Sequence, residues 1–460
     1  MITIKIPNNN LKEREYIIDV IFKEFLDLNY EVVIVDGDSD SWDIELENGN
    51  KLIIKDAFFN KYPKDLEYLK EENIPKKVEF IKNEFAPKNN IVVIYGGEGE
   101  GRREKEEGGV QASNPSTLTT NIDIFASAFF MLTRWEEFVI KSRDEHNRFD
   151  AKDSLAYKNN FLHRAVVNEY VEMLKNMLSH LGYNGKFKER EFNYLLTHDV
   201  DWIAKWDTPK KFFRHLGGDL ILRKSIKQFF QSLYGYILML QKRQNDPYDS
   251  FDFLIDVSEK LNTKSYFFFM AEGETKFDNN YSPMSKRAIE IANKIKSRGH
   301  YIGIHPTYNA YNNSDRLKKE KEQLEKIYNT KITFGREHYL RFELPTTWQI
   351  WEDNSMAWDS TMGYATKEGF RCGVCYEFST FNILTREKLK LKERPLIAME
   401  ATFLDVQSIN EESIYGRVDT LIKEVKRYNG EFVFLWHNSN FNKRYKALYK
   451  KVLFENQEDK

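Results

Sequence analysis

The sequence predicts an α/β protein in two parts, a mixed α/β domain over residues 1–185 and a larger α/β domain over 186–460 built on a parallel sheet. Three observations carry this. From residue 194 onward, short apolar strands alternate with helical segments, the pattern of parallel strands joined by helical crossovers. Before that, strands, a hairpin and helices are mixed without such regularity. Between the two, residues 183–192 are polar and turn-rich, as a domain boundary should be.

Residues 2–6 alternate like a strand, and 11–28 carry apolar residues at helical spacing (Tyr16, Ile17, Val20, Ile21, Phe25). Residues 31–35 are a β-branched run. Residues 42–47 and 51–55 flank Asn48-Gly49-Asn50 and read as a hairpin, because Asn-Gly supplies the positive φ a tight turn needs. Residues 91–95 form another apolar strand. The glycine-rich, charged stretch 96–109 is expected to be a mobile loop. It is too rich in Glu, and wrongly spaced, to cradle phosphate. Residues 122–142 and 164–181 read as helices, the second capped by Gly182.

In the second part the strands are 194–197, 265–270, 301–304, 333–336, 356–358, 396–399 and 432–436. The helices are 250–261, 284–298, 314–328 and 413–427. Seven strands with helical crossovers leave either an open sheet or a closed barrel.

Composition narrows the function. In 460 residues, Lys+Arg 69 against Asp+Glu 71 gives a net charge of −2, without the basic excess that displaces counterions from nucleic acid. Hydrophobic residues at 41% and aromatics at 15% specify a packed core rather than disorder. Two cysteines exclude a disulfide scaffold. No apolar run approaches the ~18 residues of a spanning helix, and the N-terminus lacks a signal-peptide pattern. The expectation is a cytoplasmic protein with no transmembrane segment.

The strand ends are where the polar residues gather. The first runs into His198-Asp199-Val200-Asp201, the third ends at His305, and the fourth leads to Arg336-Glu337-His338 and Arg341. The fifth ends at Asp359, the sixth at Glu400 and the seventh at His437. Carboxyl ends of parallel strands share one face, and that face carries the site. Each residue alone would pass as a cap or a satisfied turn; six strand ends together point to chemistry. Asp199 and Asp201 are two apart, so an extended chain aims both the same way. One can then hold a metal while the other works as a base. Imidazole with carboxylate is a ligand set suited to Zn²⁺, which makes His305 a candidate ligand. His437 is a candidate acid–base group. Cys372 and Cys375 form a CxxC with no second pair, and free structural thiols are expected. Trp202, Trp348 and Trp436 are candidates for stacking on a ligand ring, with core packing the commoner fate.

These motifs resemble those of the polysaccharide deacetylases of the NodB-homology carbohydrate esterase family, over residues ~190–450. YLLTHDVDW (194–202) is similar to the first motif, RGHYIGIHPTYN (298–309) to the second and REHYLRF (336–342) to the third. WDST (358–361) is similar to the fourth and FLWHNS (434–439) to the fifth. The resemblance implies a distorted (β/α)7 barrel preceded by a smaller accessory domain, for which DIFASAFFMLTRWEEF (123–138) is the basis. It implies a metal-dependent hydrolase that removes an N-acetyl group from an acetylated sugar or glycoconjugate. By the same resemblance Asp199 is the base, His437 the general acid and Arg341 the residue that orients the base. Asp201, His305 and Asn309 hold a divalent metal, Zn²⁺ with Mn²⁺ or Co²⁺ as alternatives. The family's second ligand histidine falls at position 309, where this chain has Asn. If 309 faces away, His198 and His338 are the candidates to replace it. The alternatives are a degenerate domain of this fold that binds glycan or a protein without turnover, and a glycosidase, which two Asp on one strand suit poorly.

Overall fold

A computed structural model describes residues 1–37, 39–97, 111–114, 116–278 and 281–455. The glycine-rich stretch expected to be a loop lies, apart from Gly96 and Gly97, outside the described residues. Contact divides the chain into two units, which are not sequential. The first comprises Met1–Asn193, Tyr339–Ala398 and Leu421–Phe432; the second comprises Tyr194–His338, Met399–Thr420 and Val433–Lys460.

In the first unit, the strand Ile2–Pro7 pairs in parallel with Tyr30–Val35 across the helix Leu11–Ile18 and its π-helical continuation Asp19–Phe25. Ser41–Glu45 runs antiparallel to both Ile2–Pro7 and Lys51–Lys55, so the expected hairpin forms, with Gly49 at φ 82° in its turn. Thr117–Thr120 and Gln111–Asn114 complete a six-stranded sheet. Alternate residues of Ile2–Pro7, Ser41–Glu45 and Lys51–Lys55 are buried, the period-two signature of a sheet with one covered face. The helix Ile124–Thr133 is buried at every position; the Asp123 carboxylate accepts the Ala126 N–H at its start. Sequence reading missed an antiparallel hairpin of this unit, Phe378–Asn382 with Glu387–Glu393. Cys372 and Cys375 are both free and buried.

The second unit is the regular one. Asn193–Val200, Ser265–Phe269, Tyr301–Ile304 and Phe334–Gly335 form a parallel ladder, and Glu431–Leu435 lies on the other side of Asn193–Val200. Among the described residues the pairings of this unit form an open row; a closure into a seven-unit barrel is not among them. The helices Phe251–Lys260, Lys286–Ser297 and Ser314–Tyr328 serve as crossovers. Strand register sets which polar residues become neighbours. Val200 pairs with Phe269, Phe269 with Ile304 and Ile304 with Gly335, so these four stand in one row. The residues just beyond, Asp201, His305 and Arg336, therefore leave the sheet along one edge. A Cβ on Gly335 would lie 1.9 Å from the Ile304 carbonyl oxygen, and one on Gly303 would lie 2.6 Å from the Phe334 carbonyl oxygen. Only glycine allows these strands to approach so closely where His305 and Arg336 emerge.

Candidate metal centre and acid–base pair

Asp199 is the last but one residue of its strand and is almost fully buried. Its Oδ1 accepts a hydrogen bond from Arg336 Nη1 at 2.8 Å, and Arg336 Nη2 donates to Thr197 Oγ1 at 3.0 Å on the same strand. Burial pushes the Asp199 carboxyl up, but the Arg336 guanidinium, then His305 and His437, outweigh it and hold the group below the usual carboxylate range. The cation expected here was Arg341. That residue instead donates its Nε–H to the His146 carbonyl at 2.9 Å, within the first unit. Arg336 prevails because it comes directly after the row of paired residues and so shares the edge with Asp199.

Asp201, one step past the strand, is the meeting point. Its Oδ1 lies 3.5 Å from His305 Nε2 and 3.8 Å from His338 Nε2; its Oδ2 lies 3.7 Å from His437 Nε2. That Oδ1 is buried and has no hydrogen-bond partner, a condition a native structure rarely tolerates without an ion or water to satisfy it. His305 places its Nδ1 2.7 Å from the Arg336 carbonyl oxygen, which fixes the Nδ1–H tautomer and leaves the Nε2 lone pair facing Asp201. His338 Nδ1 lies 3.7 Å from Asp278 Oδ1. Asp278 also caps a turn, accepting the Thr275 N–H at 2.7 Å and the Tyr308 N–H at 2.7 Å. A histidine whose second nitrogen is engaged by a carbonyl, as His305 is, has the usual support of a metal ligand; the His338–Asp278 separation is beyond hydrogen-bond distance.

Asp201, His305 and His338 each offer one ligand atom, and the three atoms lie within 4.8 Å of one another. Tetrahedral zinc with bonds of about 2.0–2.1 Å separates its ligand atoms by about 3.4 Å, close to the two Asp201–His distances. The residues present fit a divalent cation. The third member of this group is His338, whereas Asn309 is exposed in the turn after its strand. His198, the other alternative, is committed to structure: Nδ1 lies 2.8 Å from the Trp436 carbonyl oxygen and Nε2 3.2 Å from Ser265 Oγ.

His437 stands on the opposite side of Asp201. Its Nδ1 and its backbone N–H both reach Glu400 Oε1, at 2.6 and 3.0 Å, and Asn440 donates to the same oxygen at 2.9 Å. Burial disfavours the imidazolium, but the Glu400 carboxylate, with Asp201 and Asp199 behind it, outweighs burial and raises the His437 pKa to about 10. An imidazole so paired can hold a proton at neutral pH. Glu400 was visible as a polar strand end, yet its part in orienting His437 was not; nothing in sequence links residues 37 apart.

Other candidates fall outside the group. Asp359 belongs to the first unit, where its Oδ1 accepts the Thr361 hydroxyl at 2.5 Å. Trp436 is buried against Phe441 and Tyr449, and Trp348 is buried with its indole N–H donated to Glu393. Trp202 is half-buried and packs near Tyr248. No helix among the described residues is long and apolar enough to cross a membrane.

Residues 2–183 match a family of unknown function, DUF7033. No curated protein matches the chain. Among solved structures, the chain is similar to a protein from Mycobacterium smegmatis assigned as a polysaccharide deacetylase, at 14% identity and TM-score 0.37, over 58% of this chain and 84% of that one. It is similar to a CE4 family pseudoenzyme from Bacillus anthracis at 11% identity and TM-score 0.31, over 58% of this chain and 61% of that one. It is also similar to the catalytic domain of a peptidoglycan N-acetylglucosamine deacetylase from Eubacterium rectale, at 12% identity and TM-score 0.26, over 59% of this chain and 89% of that one. Likeness at these values leaves the chemistry to be read from the side chains.

Proposed function

We propose that the chain is a metal-dependent hydrolase that removes the acetyl group from an N-acetylated sugar or glycoconjugate, with the unit Tyr194–His338, Met399–Thr420 and Val433–Lys460 carrying the site. The observation that carries this reading is the buried, unpartnered Asp201 Oδ1 facing the Nε2 atoms of His305 and His338. Asp201, His305 and His338 would hold a divalent cation, zinc by the chemistry of the donor set. When bound there, the cation supplies positive charge to polarise an acetyl carbonyl and acidify water.

The residues around it divide the remaining work. Asp199, kept ionised by Arg336, accepts the proton of the attacking water. Arg336 holds that carboxylate in one orientation through Oδ1 and leaves Oδ2 3.7 Å from His305 Nε2. His437, cationic and fixed by Glu400, gives its proton to the amine nitrogen as the C–N bond breaks, because an amide does not expel an unprotonated amine at neutral pH. The products are acetate and the free amino sugar.

The test is acetate release from N-acetylated chitooligosaccharides by purified chain of measured metal content. Metal-dependent release that is lost in Asp199→Asn with metal retained supports the reading. Stoichiometric metal without release from a panel of acetylated glycans would leave a binding module, and no metal uptake after reconstitution would end the assignment.

A further inference from the structure

Between the first and second strands of the regular unit, the chain makes two helices, Pro209–Ile221 and Ile226–Leu240, joined by a four-residue turn. The inner face of the second helix is accounted for. Phe229, Leu233, Tyr236 and Met239 pack on a small cluster of Trp206, Phe212 and Leu216. The outer face is not. Ile226, Phe230, Tyr234, Ile237 and Leu240 recur at intervals of three and four and are 42–68% exposed, which puts them on one continuous stripe. The stripe runs into the turn, where Ile221 and Leu222 are 74% and 81% exposed.

The packed and the exposed apolar residues adjoin, so the helix has one broad apolar side of which only part is covered, and soluble monomers rarely show so extended an apolar surface. The helix has 15 residues, short of the ~20 a span requires. Charge then selects the occupant. Residues 209–243 hold eight Lys and Arg against one acid, Asp219, a local charge of +7 in a chain of net charge −2. Two such faces would repel one another across a dimer. A polyanion without apolar substance would leave Ile221, Leu222 and Phe230 in water. An anionic bilayer surface takes both the basic rim and the apolar stripe.

We infer that the 209–240 helical hairpin is a membrane-docking element that lays its apolar outer stripe and its Ile221-Leu222 tip into the interface of an anionic lipid bilayer. The hairpin starts eight residues after Asp201, so docking would hold the strand-end site near a membrane surface. The inference stands on the hairpin alone and is independent of the chemistry proposed above.

The experiment is co-sedimentation of the full chain with vesicles of phosphatidylcholine alone and with 30% phosphatidylglycerol. Anionic vesicles should bind the chain at least tenfold more strongly than neutral ones, with binding falling as salt rises from 0.1 to 0.5 M. Each Lys near the surface is worth about fivefold in partitioning, so Lys224→Glu with Lys227→Glu should lower it by about thirtyfold or more. Ile221→Ser with Leu222→Ser should lower it at least tenfold. All four positions are exposed, and an unchanged circular dichroism spectrum checks the fold. Failure to sediment with anionic vesicles, or binding indifferent to both pairs of substitutions, overturns the inference. So does a solution dimer that the apolar pair dissociates while vesicles bind nothing, which would make a second copy the occupant.

Discussion

Replacing Arg336 with Met separates the two arginines of the third motif. The Arg336–Asp199 contact is 2.8 Å with both side chains nearly inaccessible. At that distance and an effective dielectric of about 20, the Coulomb attraction is about 6 kcal/mol, largely offset by the desolvation of both charges. Removing one partner of such a pair leaves a buried, uncompensated charge and costs about 3–5 kcal/mol. Arg336→Met should show that loss in chelator-treated chain when unfolded by urea. In an Asp199→Asn background the same substitution should cost less, by a coupling energy of about 1.5–3 kcal/mol. Arg341→Met should cost stability independently of Asp199, because its partner is the His146 carbonyl. Acetate release should fall by ~100-fold or more in Arg336→Met, since the base loses both its charge state and its aim. Additive costs for Arg336 and Asp199, or a coupling that appears with Arg341 instead, would refute the reasoning.

The same geometry sets other outcomes. His338→Ala should weaken zinc binding at least 100-fold by calorimetry, while Asn309→Ala leaves it within about twofold; the reverse order would return the third ligand to position 309. Glu24 should make the first unit acid-sensitive. Burial pushes its carboxyl up, but Lys388, Lys392 and the Ser379 hydroxyl outweigh it and hold it at about 2 against an ordinary 4.5. The folded value is the depressed one, so the stabilisation is complete above about pH 4.5 and is lost as pH falls toward 2. It amounts to about 3 kcal/mol at most, and Glu24→Gln should flatten the stability–pH curve in that window; an unchanged slope would count against it. Cys372 and Cys375 are buried with thiols pushed up by burial, so the native chain should resist iodoacetamide at pH 8 and react only on unfolding. Rapid labelling of the native chain would show that these thiols are open to solvent.

Much of the site was legible because strand ends are legible. Four apolar runs ending in Asp199, His305, Arg336 and His437 needed only a parallel arrangement to bring their ends together. The place of His338 beside Asp201 was harder to see. The family resemblance pointed to position 309, four residues after His305, whereas His338 comes from a different strand end, 33 residues on. Register between Tyr301–Ile304 and Phe334–Gly335 creates that neighbour, and no local pattern encodes it. The choice between Arg336 and Arg341 was lost for the same reason: both satisfy the motif, and only the pairing of Ile304 with Gly335 selects one. Among the elements, Glu387–Glu393 escaped because its EKLKLKE alternation carries Lys and Glu on the open side and only Leu389, Leu391 and Glu393 within. The 209–240 hairpin has apolar residues at helical spacing in both of its helices and was nonetheless passed over.

Arg336 serves two masters through different parts of itself. Its side chain aims Asp199, while its main-chain oxygen meets the imidazole of His305. The second service survives any amino acid at that position. A single codon change at 336 would therefore release the Asp199 carboxylate and leave the main-chain contact to His305 in place. If the proposed chemistry holds, such a chain would keep its cation-holding group and lose its base, so catalysis could be lost in one step without loss of the metal.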